Sequence, residues 1–75
     1  MSSVGEALDR VRVGSRIRAL RIDQNLTARQ LADKTGCSRP HISNIESGRS
    51  RASEDQRRAI AGALGVSLED LEVAS

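Results

Sequence analysis

The spacing of helix start and stop signals constrains this chain more than any other feature. Thr27 and Gln30 form a capping box, in which the threonine hydroxyl accepts from an unpaired amide at a helix start and the glutamine reaches back to the cap. A helix is therefore predicted from Ala28. Gly36 ends it, because a residue without Cβ adopts the left-handed conformation at little cost.

The pattern begins again directly afterwards. Ser38 can cap a further helix with Pro40 in its first turn, where the missing amide hydrogen has no intrahelical partner. This helix is predicted to close at Gly48. Residues 53–56 form a second capping box, and the helix that it opens ends at Gly65. These start and stop signals therefore predict three short helices in succession.

Apolar residues recur at helical spacing within these boundaries. The pairs are Leu31 with Thr35, Ile42 with Ile45, and Ile60 with Leu64. No run alternates apolar and polar residues as a half-buried strand does. The chain is therefore predicted to be all-α.

The two ends of the chain add further predicted helical segments. A first helix with Ile17 and Leu20 on one face is predicted to stop at Asn25, and Ser67 with Asp70 marks a last short turn. The domain is predicted to occupy residues 13–72, followed by a C-terminal tail at 73–75. Residues 1–12 form an N-terminal extension that either adds a helical turn or two or frays.

Composition excludes several classes of protein. The chain has 75 residues, enough for one small domain, and it contains no Phe, Tyr or Trp. Base stacking on an aromatic platform, as in RNA-recognition, cold-shock and OB-type modules, is therefore excluded. One Cys and one His supply neither a disulfide framework nor a four-ligand zinc site. We expect no metal and no cofactor.

The sequence also bears on where in the cell the protein is expected to be. No apolar run approaches the roughly 18 residues that span a bilayer, and the first ten residues do not form a secretion signal. A single cysteine fits a reducing compartment. We therefore expect a soluble, cytoplasmic protein without a membrane partner.

Charge is distributed unevenly along the chain. Basic residues outnumber acidic ones over residues 1–53, whereas acidic residues predominate over residues 54–75. A surface that faces a polyanion shows this asymmetry, since neutralisation of phosphates by Arg and Lys supplies most non-specific affinity for nucleic acids. A merely solvated, arginine-rich surface is the alternative.

The joint around Gly36 indicates a supersecondary motif. About eight helical residues, a three-residue turn containing Gly and a second short helix form the layout of a helix-turn-helix, whose second helix can enter the major groove of DNA. Ala32 supplies the small residue that the helix crossing needs. Four further residues are expected to be buried against the first and fourth helices: Leu31, Cys37, Ile42 and Ile45.

Five segments of the chain follow the pattern of a known family: GSRIRALR (14–21), LTARQLA (26–32), TGCS (35–38), ISNIESGR (42–49) and IAGALGV (60–66). They resemble the XRE or Cro/phage-repressor helix-turn-helix family. The run Ile-x-x-Ile-Glu-x-Gly at residues 42–48 is among the family's most specific marks. The resemblance implies a compact five-helix, lambda-repressor-like domain that acts as a homodimer on a roughly palindromic operator.

Individual positions add to the resemblance or depart from it. The family pattern implies an ion pair between Arg21 and Glu46 that joins the first and third helices. Thr35 stands where the family usually has a larger aliphatic residue, so the core is expected to be looser there. Pro40 stands where family members often carry a polar base-reading side chain, and proline offers a base edge only apolar contact.

With Ile42 and Ile45 directed inward, the opposite face of the helix 39–47 carries the candidate base-reading residues. These are Arg39, Pro40, Ser43 and Asn44. Arg39 is suited to bidentate contact with guanine and Asn44 to adenine, each worth roughly 1 to 3 kcal/mol of discrimination. The alternative for this face is a solvated polar surface.

Residues at helix ends and in the following loop are candidates for phosphate contacts. They are Thr27, Arg29, Ser47, Arg49 and Arg51. Free amides and the positive end of the helix dipole favour a phosphate near Thr27, and such contacts position a protein without reading sequence. The alternatives are plain capping for Thr27 and solubilising charge for Arg49 and Arg51.

Catalysis is the weaker hypothesis. Cys37 and His41 are four residues apart, which is the spacing of a nucleophile with a base or of two metal ligands on a helix. Cys37 is expected to be buried in the joint, however, and a buried neutral thiol is inert. We therefore expect no enzymatic activity.

Self-association is expected because a single small domain that reads a groove rarely binds tightly alone. Apolar residues near the end of the chain are the first candidates for the contact: Val66, Leu68, Leu71 and Val73. The second candidates are Val4, Leu8 and Val11. A two-fold dimer would then present both helices to half-sites about 10 base pairs apart or a multiple of that.

The sequence thus supports two hypotheses of different kinds. The first is a sequence-specific transcriptional regulator that binds double-stranded DNA. The second is a protein-interaction module, an antitoxin or a coactivator-like adaptor, that keeps the same fold for contact with another protein. A protein-binding surface is apolar at its centre, whereas the face around Arg39 and Asn44 is polar.

Overall fold

The computed structural model describes residues 3–72, and over that range the chain forms five helices and no strand. The helices are α1 (Ser3–Asp23), α2 (Ala28–Thr35), α3 (Arg39–Glu46), α4 (Glu54–Leu64) and α5 (Leu68–Glu72). The prediction of an all-α, five-helix domain is confirmed.

The helix starts follow from side chains that satisfy free backbone amides. The Gln30 amide donates to Thr27 Oγ1 at 3.0 Å and the Thr27 amide donates to Gln30 Oε1 at 2.8 Å, which completes the predicted capping box of α2. Ser53 and Gln56 repeat this arrangement at α4. Gly36, with a φ of 74°, ends α2 in the left-handed conformation.

Helix α1 is longer than the sequence pattern indicated. It runs without interruption through residue 12, so residues 3–12 are helical and the predicted domain boundary lies inside a helix. The helix ends at Asp23, and Asn25 takes a φ of 60°, which asparagine tolerates better than most residues. Of the two alternatives for the N-terminal extension, the helical one describes residues 3–12.

The core lies between all five helices and is aliphatic. Its largest fully buried side chains are Ile17, Leu31, Ile42, Ile45, Ile60 and Leu71. Cys37, which was expected to be buried, is only half-buried at the edge of this cluster. The hydroxyl of Thr35 donates to the carbonyls of Leu31 and Ala32, so the residue that replaces a larger aliphatic one has its polar group satisfied.

Helices α1 and α3 cross with their backbones in direct contact at Gly14. A Cβ atom at this position would overlap the carbonyl oxygen of Ile45 and would lie 2.6 Å from that of Glu46. Only glycine permits this approach. The crossing fixes the C-terminal end of α3 against the longest helix of the domain.

Candidate nucleic-acid interface

Helix α3 has one buried side and one side open to solvent. Ile42 and Ile45 are inserted in the core, while Arg39, Pro40 and Ser43 are exposed on the opposite side. Ser38 Oγ accepts the His41 amide at 3.2 Å and so caps the helix. The α3 orientation predicted from apolar spacing therefore agrees with the structure.

Asn44 lies at the edge of this exposed face and is half-buried. Its backbone carbonyl accepts the Arg49 amide at 2.9 Å and the Ser50 amide at 3.2 Å. The residue therefore anchors the chain that follows α3, a role that sequence reasoning did not assign to it. Three of the four predicted base-reading residues are exposed, and Asn44 is the exception.

The predicted phosphate-contacting residues are all exposed, and in the sequence two of them precede α3 and three follow it. The hydroxyl of Thr27 accepts in the α2 cap, and that of Ser47 donates to the Asn44 carbonyl at 3.1 Å. Over residues 3–72, the guanidinium groups of Arg29, Arg49 and Arg51 form no ion pair with a carboxylate.

A loop of seven residues, 47–53, connects α3 to α4; we call it the α3–α4 loop. Gly48 in this loop takes a φ of 80° and its amide donates to the Ile45 carbonyl at 3.1 Å. At the far end Ala52 is buried, and Arg57 Nη1 donates to its carbonyl at 2.8 Å. The loop is thus held close to the body of the domain while Arg49 and Arg51 extend into solvent.

Arg21 and Glu46 form the ion pair that the family resemblance implied. Arg21 Nε donates to Glu46 Oε2 at 2.7 Å and Nη2 donates to Oε1 at 3.0 Å, while Nη1 donates to the Leu26 carbonyl at 2.8 Å. The two side chains are 13% and 7% exposed. The hydrogen bond to Glu46 raises the pKa of Arg21, against the lowering effect of burial. Charge and geometry together tie α1 to the last residue of α3.

One of the four residues predicted for self-contact is placed differently from expectation. Val66 and Leu68 are half-buried, and Val73 lies outside the described residues. Leu71 is only 1% exposed because it packs into the core, so its side chain is not available to a partner and the prediction for it is wrong. Among the residues whose burial the structure describes, the large exposed apolar ones lie on α1: Leu8 (52%), Val11 (46%) and Ile22 (52%).

Cys37 and His41 are the two residues that the sequence analysis weighed for catalysis or metal binding. Both residues are half-buried, and His41 Nε2 is shielded from solvent without a hydrogen-bond partner in the described structure. Over residues 3–72 no group of three or more His, Cys, Asp or Glu side chains is arranged to hold a metal ion. None of the described helices is long and apolar enough to cross a membrane.

Sequence reasoning missed the contacts that α1 makes with the C-terminal end of α3 and with the α3–α4 loop. Arg10 Nε donates to the Gly48 carbonyl at 3.4 Å, and the backbone of Gly48 lies against Val11. One signal was present in the sequence: Gly14 stands inside a helix, where glycine costs up to about 1 kcal/mol relative to alanine. Such a position usually has a packing reason, and here the reason is the crossing with α3.

Helices α2 and α3 and the joint between them at residues 36–38 form a helix-turn-helix. The helix-turn-helix family model matches residues 17–71, which is most of the chain. The chain belongs to the XRE-type helix-turn-helix family.

Curated relatives of this chain include repressors and regulators. Over 56 residues it is 43% identical to the immunity repressor protein of Bacillus phage phi105, covering 75% of this chain and 39% of the relative. Over 60 residues it is 43% identical to an uncharacterised HTH-type transcriptional regulator of Mycobacterium tuberculosis, covering 80% of this chain and 43% of the relative. The chain therefore spans about two fifths of the length of these relatives.

Solved structures of similar proteins support the same family. The restriction-modification controller protein C.AhdI of Aeromonas hydrophila is 30% identical, with a TM-score of 0.83 over 85% of this chain and 97% of that chain. The clp gene regulator ClgR of Corynebacterium glutamicum is 32% identical, with a TM-score of 0.81 over 83% of this chain and 66% of that chain.

Proposed function

We propose that this chain is a transcriptional regulator that binds double-stranded DNA with sequence specificity and inserts α3 into the major groove. The observation that carries the proposal is that α3 has one buried side and one side exposed to solvent. Its inner side is fixed by Ile42, Ile45 and the ion pair of Glu46, while Arg39 and Ser43 are exposed on its outer side. Family membership supports the proposal. We infer that such a regulator acts in the cytoplasm, beside its DNA.

Within this proposal the exposed residues divide into two groups. Arg39 and Ser43, with Pro40 against a thymine methyl and Asn44 at the edge, read bases. A second group positions the protein on the DNA backbone: Thr27, Arg29, Ser47, Arg49 and Arg51. The absence of carboxylate partners for Arg29, Arg49 and Arg51 over the described residues supports this role, since their charges are available to phosphates.

The experiment that tests the proposal measures affinity for duplex DNA over a salt series. Bound fragments are first selected from random duplex DNA, and affinities for the selected sequence and for mixed DNA are then compared. We expect log affinity to fall with log salt by about 0.9 per phosphate contact. Failure to bind any duplex at low salt would contradict the proposal.

Two single variants separate the two groups. Arg39→Ala is expected to lose preference for the selected sequence and keep much of the binding to mixed DNA. Arg49→Ala is expected to weaken binding to both by a similar factor and to reduce the salt slope by about one. Arg58→Ala is the control, because it removes the same charge from an exposed position on α4, where Arg58 pairs with Glu54. Uniform weakening by Arg39→Ala would assign Arg39 to phosphate instead.

We infer that the DNA-bound form is a homodimer on a roughly palindromic operator, with self-contact at Val66 and Leu68. Sedimentation with and without the selected duplex tests the stoichiometry. Leu68→Glu is expected to abolish the dimer, whereas Leu8→Glu is expected to leave it intact. The opposite result would move the contact to α1, where Leu8 and Val11 are exposed.

The exposed apolar residues of α1 also favour one alternative function, a protein-interaction module that keeps the fold. The salt series separates the two, because a flat dependence on salt contradicts binding through phosphates and favours a protein partner.

A further inference from the structure

The N-terminal half of α1 contacts the α3–α4 loop, although 38 residues of sequence separate them. Arg10 Nε donates to the Gly48 carbonyl at 3.4 Å. A Cβ atom at Gly48 would lie 2.7 Å from Val11 Cγ2 and 3.1 Å from Val11 Cα, so the loop backbone rests directly on the helix. These contacts come from the segment that precedes the match to the family model, which begins at residue 17.

The rest of the loop is held by its own neighbours. At its start the amides of Arg49 and Ser50 donate to the Asn44 carbonyl, and at its end Arg57 holds the Ala52 carbonyl. Gly48, immediately before the first of these attachments, is the point at which α1 supports the loop. The part of the loop that carries Arg49 and Arg51 is therefore aligned with respect to α1.

We propose that Arg10 and Val11 are positioning residues for DNA binding: they fix the α3–α4 loop so that Arg49 and Arg51 meet the DNA backbone already ordered. The inference rests on the function proposed above. Ordering a loop and its long side chains at the moment of binding opposes association, and a loop fixed beforehand avoids that cost. The benefit is independent of DNA sequence, because phosphate contacts carry no sequence information.

The first test compares Arg10→Met with Arg12→Met. Each variant removes one positive charge from the same helix, and both side chains line the same cleft beside the loop, but Arg12 is exposed whereas Arg10 is partly buried against Gly48. We expect Arg10→Met to weaken binding roughly three- to tenfold more than Arg12→Met, on selected and mixed DNA alike. Arg10→Lys is expected to recover part of the loss, because an ammonium group can donate to the same carbonyl.

The second test removes the apolar half of the contact. Val11→Ala is compared with Leu8→Ala, a similarly exposed residue one turn earlier on α1. Both truncations place alanine in a helix, so a difference between them reports on the loop. We expect only Val11→Ala to weaken DNA binding, with melting temperatures of the two variants close to each other.

A third measurement reports on the loop without DNA. Hydrogen exchange at the Arg49 and Ser50 amides, which donate to the Asn44 carbonyl, is expected to be faster in Arg10→Met than in Arg12→Met. Equal exchange and equal DNA affinity in these two variants would overturn the proposal. A loss confined to the selected sequence would also overturn it, because that result assigns Arg10 to base reading.

The same measurements distinguish failure of this proposal from failure of the proposed function. If the unmodified chain binds no duplex, DNA binding itself is wrong, and the exchange data still show whether α1 orders the loop. If the unmodified chain binds DNA and the Arg10 and Arg12 variants bind equally, the function stands and the positioning role is wrong.

Discussion

The two connections that flank α3 are built from different kinds of contact. The α2–α3 joint, residues 36–38, is closed by near neighbours: the Cys37 amide donates to the Ala32 carbonyl at 3.1 Å, and Ser38 caps the helix that follows. The α3–α4 loop depends on residues distant in sequence, since α1 supports Gly48. The start of α3 is therefore set locally, and its end is set by the tertiary structure.

This comparison predicts that variants at the end of α3 are costlier than equivalent variants in the joint. The largest effect is expected for Arg21→Met, which leaves Glu46 charged and mostly buried without its partner. Removing one member of such a pair costs about 3 kcal/mol of unfolding free energy or more. Denaturant unfolding measures it, and the double variant Arg21→Met/Glu46→Leu is expected to be more stable than the single one. Equal stability of the two would show that no stranded charge is involved.

The pH dependence of the stability that Arg21→Met loses relative to the unmodified chain follows from the raised pKa of Arg21. A group whose pKa is higher in the folded state contributes stability below its unfolded pKa and loses it only as the pH rises through the folded value. We therefore expect the deficit of Arg21→Met to stay constant from neutral to moderately alkaline pH. Melting temperatures over that range check this.

The second effect concerns the crossing of α1 and α3. Gly14→Ala forces a methyl group against two carbonyl oxygens and is expected to cost about 2 to 3 kcal/mol, because the helices must separate. Gly62→Ala is the matched control: it is also a glycine within a helix, but a Cβ there meets no atom within 4 Å. It is expected to stabilise the domain by about 0.5 to 1 kcal/mol. A melting temperature lowered by Gly14→Ala and raised by Gly62→Ala would confirm the tight crossing.

The third prediction compares the two connections directly. Gly36 and Gly48 have φ values of 74° and 80°, so alanine is strained at either position by about 1 kcal/mol. At Gly36 a Cβ meets nothing within 4 Å, whereas at Gly48 it meets Val11. Gly48→Ala is therefore expected to cost about 1 kcal/mol more than Gly36→Ala. Adding Val11→Ala is expected to recover part of that excess, and identical costs at the two glycines would refute the difference.

The smallest effect is expected for a purely local change. Thr27→Ala removes the hydroxyl that accepts the Gln30 amide and is expected to cost about 1 kcal/mol, or roughly 4 to 8 °C in melting temperature. Ser53→Ala at the second capping box is expected to cost a similar amount. A loss of several kcal/mol at Thr27 would mean that the start of α2 depends on more than this local cap.

The sequence predicted the features that local interactions determine. Capping boxes and glycine stops identified the starts and ends of α2 and α4 because each is decided within three or four residues. The buried side of α3 followed from the spacing of Ile42 and Ile45 for the same reason. The family pattern supplied the Arg21–Glu46 pair, which no local rule predicts.

Features that depend on the packing of distant segments were not predictable in this way. Leu71 looked like an exposed apolar residue near the chain end, but the position of α5 buries it. Residues 10 and 11 looked like part of an extension, but the path of the α3–α4 loop brings Gly48 onto them. Nothing in the spacing of residues along a helix says what another segment will place beside it.

The attachment of the C-terminal end of α3 to α1 has a consequence for the proposed complex with DNA. A helix locked to its own domain through Gly14 and Glu46 has little freedom to tilt into an ill-fitting groove. In the proposed complex the duplex would then do the bending and twisting, at an elastic cost that differs among base steps. Base pairs that no side chain touches would on that account still influence which sites are occupied.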